Sequence, residues 1–479
     1  MKLSKLARCC EEYEIFGDAE IKKITSSSKT KGENILFVCN ESDENKIVKY
    51  LNEAVKNGAV AMLSKKKIDS PIPQIVAKDT RAAYSRVCAE LYDNPQNDLK
   101  IVGVVGTNGK TTTCRIIAKI LNRSGYSCGV IGTLGAFYGE TKESLDLTTP
   151  DPEDIFRILD DMRKRKIKYV ALELSAHAIF YKKLDPVFFE ALIFTNCTRD
   201  HLDFFKDMAN YSNVKSSVFL ENKSVYKVIN ADDAYGKEIL KSLDGRGVSY
   251  GVDNPAEVFA LKIKQRFDGT SFIVNAFDDV ESVKIKLLGK FNVYNVLAAL
   301  SFCTLEGLIL KDSVAALKEM EPVEGRLERV ASFNGAEIFV DYAHTPDGLE
   351  KALLTLSKIT ENNLVCLFGC GGNRDKEKRP LMGRVAGDIA DYVIITSDNP
   401  RYEDPDLIIR DIVKGVREAT LDYVTVPDRQ KAIRCAVDIL TRGDVLLIAG
   451  KGAEEYQEIM GVRRAYSDKA EVLAAIGED

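Results

Sequence analysis

From Leu99 onward, short β-branched apolar runs alternate with stretches of helical periodicity. KIVGVVGT (100–107) leads into the helix-like TTTCRIIAKILNRSG (111–125), and YVALELS (169–175) and EALIFTNC (190–197) are further runs, each ending in polar residues. Unbroken apolar runs of this length predict strands covered on both faces, as in a parallel sheet flanked by helices. Residues 257–288 alternate in the manner of a β-hairpin, and GKFNVYNVLAALSFCTLEG (289–307) returns to helix. Past a turn at EPVEG (321–325), five strand-plus-loop units follow: AEIFVDYAH, LVCLFGCGG, YVIITSDNP, DYVTVPD and DVLLIAGKG. Ahead of Leu99, ILFVC (35–39) predicts a strand. NKIVKYLNEAVKNGA (45–59) predicts a helix with Ile47, Val48, Leu51, Ala54 and Val55 on its apolar face. The turn-rich YDNPQND (92–98) interrupts that pattern.

The pattern predicts an α/β protein of three domains. These are a small α/β domain over 1–97, a central doubly wound, mainly parallel sheet over 98–322, and a Rossmann-like domain over 323–479. A length of 479 residues fits that number. With 45% hydrophobic and 29% charged residues the composition is globular, which excludes a disordered or fibrous chain. Lys plus Arg number 67 against 72 Asp plus Glu, a net charge of −5, so no basic excess points to nucleic acid. The 11 cysteines include no CxxC pair, which favours buried thiols in a reducing compartment over disulfides or a zinc site. The N-terminal segment MKLSKLARCCEEYEIFGDAE carries charges every few residues, and we expect a soluble cytoplasmic protein without membrane insertion.

Chemistry enters at GVVGTNGKTTT (103–113), set between a predicted strand and a predicted helix. That context suits phosphate. Gly106 and Gly109 let backbone N–H groups approach phosphate oxygens, Lys110 supplies charge, and the Thr111 hydroxyl can ligate magnesium. Strict Walker spacing would require glycine at Val104, and Gly103 lies one residue earlier. A tight turn with a solvated lysine is the competing reading of these residues, but strand, loop, Lys-Thr and helix together favour a nucleotide.

Four further motifs follow: TTPD (148–151), ELSAHA (173–178), TNCTRDHLDFF (195–205) with Lys215 beyond it, and FNVYNVLAA (291–299). Then come GRLERV, DYAHTPDGL, FGCGGNRDKEKRPLMG, SDNPR and GKGAEEYQ. In this order they make the chain resemble the Mur ligases, and within them the members that form the tripeptide. The resemblance implies an ATP-dependent ligase that turns a carboxylate into an acyl phosphate and lets an amine displace the phosphate. It assigns Gly106, Thr107, Asn108, Gly109, Lys110, Thr111 and Thr112 to the phosphates, Asn295 to adenine, Asp341 to ribose, and Arg326 and His344 to the nucleotide's wall. Thr111, Glu173, His201 and a carbamylated Lys215 are implied as magnesium ligands, with Lys110, Glu173, His201 and Lys215 as the catalytic set. Read alone, Glu173 could cap a helix, His201 could be structural and Lys215 could be exposed. All three histidines of the chain, His177, His201 and His344, nevertheless fall inside these motifs.

For substrates, the resemblance implies UDP-N-acetylmuramoyl-L-alanyl-D-glutamate, held by Ser28, Thr148, Thr149, Ser175 and Lys183, and meso-diaminopimelate, held by Arg374, Asp398, Asn399, Arg401, Gly450 and Glu454. The Arg401 guanidinium suits a distal carboxylate that L-lysine lacks, and Glu454 suits the distal ammonium. Ser27-Ser28-Lys29 replaces the usual Asp-Ser-Arg, ESDENK (41–46) replaces a Gly-rich turn, and Ala176, Asn373 and Ala453 also depart from the pattern. The alternatives are a divergent ligase adding L-lysine or another amino acid, one using another acceptor, and a nucleotide-binding scaffold without ligation. We expect a monomer with a closing motion hinged near Glu321–Gly325.

Overall fold

The computed structural model describes residues 1–221 and 223–477. Its chain forms two compact units, each built from several segments: Met1–Val105 with Gly125–Ile193 and Val214–Lys227, and Gly106–Ser124 with Phe194–Asn213 and Val228–Asp479.

The first unit begins with a five-stranded sheet in the order Tyr13–Phe16, Gln74–Ala77, Ala59–Ser64, Ile35–Cys39, Lys23–Thr25. Only Tyr13–Phe16 runs antiparallel to its neighbour. ILFVC is buried at every position because it lies inside this sheet, which is why it reads as an unbroken apolar run. Helix Glu44–Lys56 starts where Asp43 accepts from the N–H groups of Asn45 and Lys46. It buries Ile47, Leu51 and Ala54, while Val48 and Val55 are 44% and 42% exposed, so the apolar stripe is narrower than the sequence predicts. YDNPQND forms a 3-10 turn over Pro95–Asn97, entered through Asn94 at φ +50.

In the same unit, Tyr169–Leu174 lies between Lys100–Val105 and Cys128–Gly132, parallel to both and buried throughout. Gly103 sits within the strand Lys100–Val105. A Cβ there would lie 3.0 Å from the side chains of Phe189 and Leu192. It is a packing glycine, and the loop's first glycine is Gly106.

The second unit holds the helix Lys110–Arg123 and, packed against it, the helix Lys290–Leu305. The latter buries eleven residues around its whole circumference, as expected of a helix inside a core. The stretch read as a hairpin is a three-stranded antiparallel meander, Val258–Arg266, Gly269–Ala276 and Asp279–Ile285.

A six-stranded sheet completes this unit in the order Glu328–Phe333, Ala336–Asp341, Val445–Ala449, Leu364–Phe368, Tyr392–Ile395, Tyr423–Thr425. The last five are parallel and are the five units expected from sequence. Leu364, Cys366 and Phe368 face one apolar core, and Val365 and Leu367 face the other. The antiparallel edge strand Glu328–Phe333 and the ribbon Tyr456–Ile459 with Val462–Ala465 were not expected. Nine of the eleven cysteines are buried, Cys435 is exposed, and none forms a disulfide.

Candidate active site

The loop between the strand Lys100–Val105 and the helix Lys110–Arg123 is fixed by its glycines. A Cβ on Gly106 would collide with Thr195 Oγ1, and Gly109 adopts φ +87 above Asn295. Lys110 Nζ donates to the carbonyls of Gly106 and Thr107 at 2.7 and 2.9 Å, holding the ammonium over the loop. Thr195 Oγ1 and Asn196 Nδ2 donate to Asn108 O, and Thr107 Oγ1 donates to Thr198 O. Asn108 Nδ2 reaches Asp347 Oδ2 at 2.9 Å. Backbone N–H groups at the start of a 14-residue helix, beside a lysine, form an anion site.

Around the loop, the second unit gathers the residues expected at the nucleotide. Asn295 is buried, accepts from Thr113 Oγ1 and donates to Asn292, so its amide ties its own helix to the first turn of the helix Lys110–Arg123. Arg326 Nη2 donates to Thr111 Oγ1 at 3.0 Å, and its guanidinium lies 4.4 Å from the centre of the Tyr342 ring. Asp341 ends its strand and accepts from the N–H groups of Leu327 and Ala343. Burial lifts its carboxyl above the ordinary value, although Arg326 and those two N–H groups favour the charged form. His344 Nδ1 lies 3.0 Å from Tyr342 O. Asp200, which sequence reasoning passed over, lies 3.4 Å from His201 Nε2 and 3.6 Å from His344 Nε2. Burial opposes its charge, but the two histidines and Lys378 outweigh burial and hold it well below the usual carboxylate range.

In the first unit, a second cluster forms at the end of the strand Tyr169–Leu174. Glu173, 1% exposed, accepts from Thr133 N at 2.9 Å and from Thr133 Oγ1 at 3.1 Å, one bond per oxygen. Gly132 passes so close that a Cβ would strike this carboxylate. Thr148 Oγ1 lies 3.1 Å from Thr133 Oγ1, and Thr149 Oγ1 donates to Glu173 O and accepts from Ser175 N. Lys183 joins the cluster through Thr149 O and Asp151. The competing reading of Glu173 as a helix cap does not hold: Ser175 caps the following helix, accepting from Ala178 N. Lys215 is 1% exposed and not a surface lysine. Ser28 lines a separate cleft of about 410 Å³ with Lys29, Phe37, Glu41 and Tyr50, and its hydroxyl donates to Glu53.

The donor types suit magnesium. Among the described residues no three His, Cys, Asp or Glu side chains are grouped to hold a metal by themselves. Magnesium is usually bound by one or two carboxylates together with substrate phosphates and water, and a carboxylate with acceptor sites to spare (Glu173) and a hydroxyl at a phosphate loop (Thr111) match that habit.

The remaining residues meet beyond the strand ends of the six-stranded sheet, where a parallel sheet binds its ligands. Asn399 Nδ2 donates to Glu454 Oε2 at 2.9 Å. Gly450 N donates to Asp341 O, and a Cβ on Gly450 would lie 2.7 Å from Asp398 Oδ2. Arg401, at φ +52, donates to Gly372 O at 2.8 Å and lies 3.6 Å from Glu458. Arg374 is exposed. Lys451, absent from the sequence-based set, is buried between Asn399 and Glu454.

The Mur ligase middle domain matches residues 104–303, and the Mur ligase glutamate ligase domain matches residues 325–452. A protein of Clostridium botulinum named UDP-N-acetylmuramoyl-L-alanyl-D-glutamate–2,6-diaminopimelate ligase is 38% identical over 95% of this chain and 94% of its own. One of the same name from Aquifex aeolicus is 39% identical over 96% and 94%. A solved structure with that name superposes at TM-score 0.67 and 32% identity, covering 95% of each chain. Among the described residues no helix is long and apolar enough to cross a membrane. The family matches and the full-length similarity agree with the loop and strand-end clusters: the chain is an enzyme and belongs to the Mur ligase family.

Proposed function

We propose that the protein adds meso-diaminopimelate to UDP-N-acetylmuramoyl-L-alanyl-D-glutamate at the expense of ATP, in the cytoplasm and as a monomer. A substrate carboxylate oxygen attacks the γ-phosphorus and ADP leaves. The amine nitrogen of the amino acid then attacks the acyl carbon, loses a proton, and phosphate departs as the amide forms. Two anions must meet in the first step, so catalysis rests on placed positive charge and on N–H groups aimed at phosphate.

In this reading the N–H groups of the loop and Lys110 hold the phosphates, Asn295, Asp341, Arg326 and His344 hold the nucleoside end, and Thr111 exchanges its bond to Arg326 for a metal ligand's role. Glu173, His201 and Lys215 are the other magnesium ligands, with Lys215 carrying a carbamate that makes a buried amine an oxygen donor. Magnesium supplies charge neutralisation on the phosphoryl oxygens. Thr148, Thr149, Ser175 and Lys183 serve the acceptor in the central part of the chain (98–322), and Ser28 serves its uridine end in the first part (1–97). The third part (323–479) takes the amino acid through Arg374, Asp398, Asn399, Arg401, Gly450 and Glu454.

The observation that carries the reading is the 2.9 Å bond between Asn399 and Glu454, which joins two residues assigned to one amino acid across 55 positions of sequence. Arg401 has donors beyond those used by Gly372 and Glu458, so a distal carboxylate can share it. The test is Arg401→Ala: the KM for meso-diaminopimelate rises by about tenfold or more while ATP affinity stays unchanged. Equal losses for both substrates would make Arg401 a structural residue and remove the basis for this amino acid.

A further inference from the structure

Lys451 lies in GKGAEE and is 0% exposed. Its Nζ donates to Asn399 Oδ1 at 3.1 Å and to Glu454 Oε2 at 3.0 Å, and stands 5.5 and 5.8 Å from the ring centres of Tyr456 and Tyr466. Asn399 Oδ1 also accepts from Glu458 N at 2.9 Å. With its oxygen committed to two donors, the Asn399 amide can only turn its Nδ2 toward Glu454, where it shares Oε2 with the lysine. Two donors on one carboxylate oxygen hold the rotamer and leave the lone pairs of Oε1 for a further donor.

We propose that Lys451 is a positioning residue that gives the amino-acid subsite its preference for a second ammonium group. This rests on the reading of Glu454 as the ammonium acceptor. A carboxylate alone would attract any cation. Paired with Lys451 it contributes little net charge, so an ammonium is recognised by where Oε1 stands. Discrimination then depends on direction: an analogue without the distal amine leaves Oε1 without a donor, and a carboxylate free to swing would satisfy itself elsewhere. Lys451 touches neither reacting atom; it acts through Asn399 and Glu454.

The experiment compares kcat/KM for meso-diaminopimelate and for 2-aminopimelate, which lacks the distal amine, in the full chain and in Lys451→Met, Lys451→Gln and Lys451→Arg. The preference for the diamine falls about tenfold in Lys451→Met, the KM for ATP stays within about twofold, and Lys451→Arg recovers part of the preference. Lys451→Gln retains a donor without charge and replaces Lys451→Met in the comparison if that variant does not fold. An unchanged preference, or parallel rises in the KM for ATP and amine, overturns the proposal. If the unmodified protein ligates a different amine, the amino-acid assignment falls on its own. Lys451 is then judged on that amine: a fall in its preference over the analogue without a second ammonium upholds positioning, and an amine that carries no second ammonium, or an unchanged preference, overturns it.

Discussion

At the scale of single residues, buried charge separates framework from chemistry. The side chains of Arg429 and Asp468 are both 0% exposed and joined by two bonds of 2.7 Å, and Arg429 also donates to Ser397 O and Ala449 O. Removing one partner leaves the other charged and desolvated, so Arg429→Met should cost about 3–5 kcal/mol, read as a lower urea midpoint. Pairing it with Asp468→Leu should recover most of that loss; failure to recover would mean that the bonds to Ser397 and Ala449 carry the stability. Asp232 offers a pH test. Burial works against its charge, but the N–H groups of Val252 and Asp253, the Asn254 amide and the Tyr294 hydroxyl hold it down at about 2. A depressed carboxyl stabilises the fold above its unfolded value of about 4 and loses that contribution as the pH falls toward 2. Unfolding of the native chain and of Asp232→Asn should therefore differ most above pH 4 and converge below it; a gap independent of pH would assign the effect to shape alone.

Among the elements, what the sequence made legible follows burial. Leu364–Phe368 presents apolar residues to two cores, and its uniform pattern could mean little else. Glu328–Phe333 pairs on one side only and is half-exposed, so its mixed residues gave no strand signal. The ribbon Tyr456–Ile459 with Val462–Ala465 was hidden for another reason. Its turn, Met460-Gly461, has φ +49 and +75, a geometry that usually announces itself as Asn-Gly. Met460 is 65% exposed and accepts this conformation at a cost. Met460→Asn should raise stability by about 0.5–1 kcal/mol in thermal unfolding, and a loss would show that the Met460 side chain contributes packing. Val48 and Val55 matched helical spacing yet face solvent, because helix Glu44–Lys56 meets its sheet along a narrow stripe.

For the whole molecule, the motifs made the family legible before any geometry, and the strand ends explain why: residues that polarise or grip a ligand sit in loops after buried strands, where sequence retains a distinct signature. Contacts made at a distance left no such trace. Asp200 beside His344, Thr133 on Glu173, Asp347 on Asn108 and Lys451 on Asn399 each take a partner from far along the sequence. The role of Gly103 is likewise set by residues far along the chain, Phe189 and Leu192. Phosphate release measures the ligation of one particular amine directly. Purified protein with ATP, magnesium and UDP-N-acetylmuramoyl-L-alanyl-D-glutamate should release phosphate with meso-diaminopimelate and remain near background with L-lysine or no amine. Equal release with L-lysine, or release that needs no amine at all, would contradict the account.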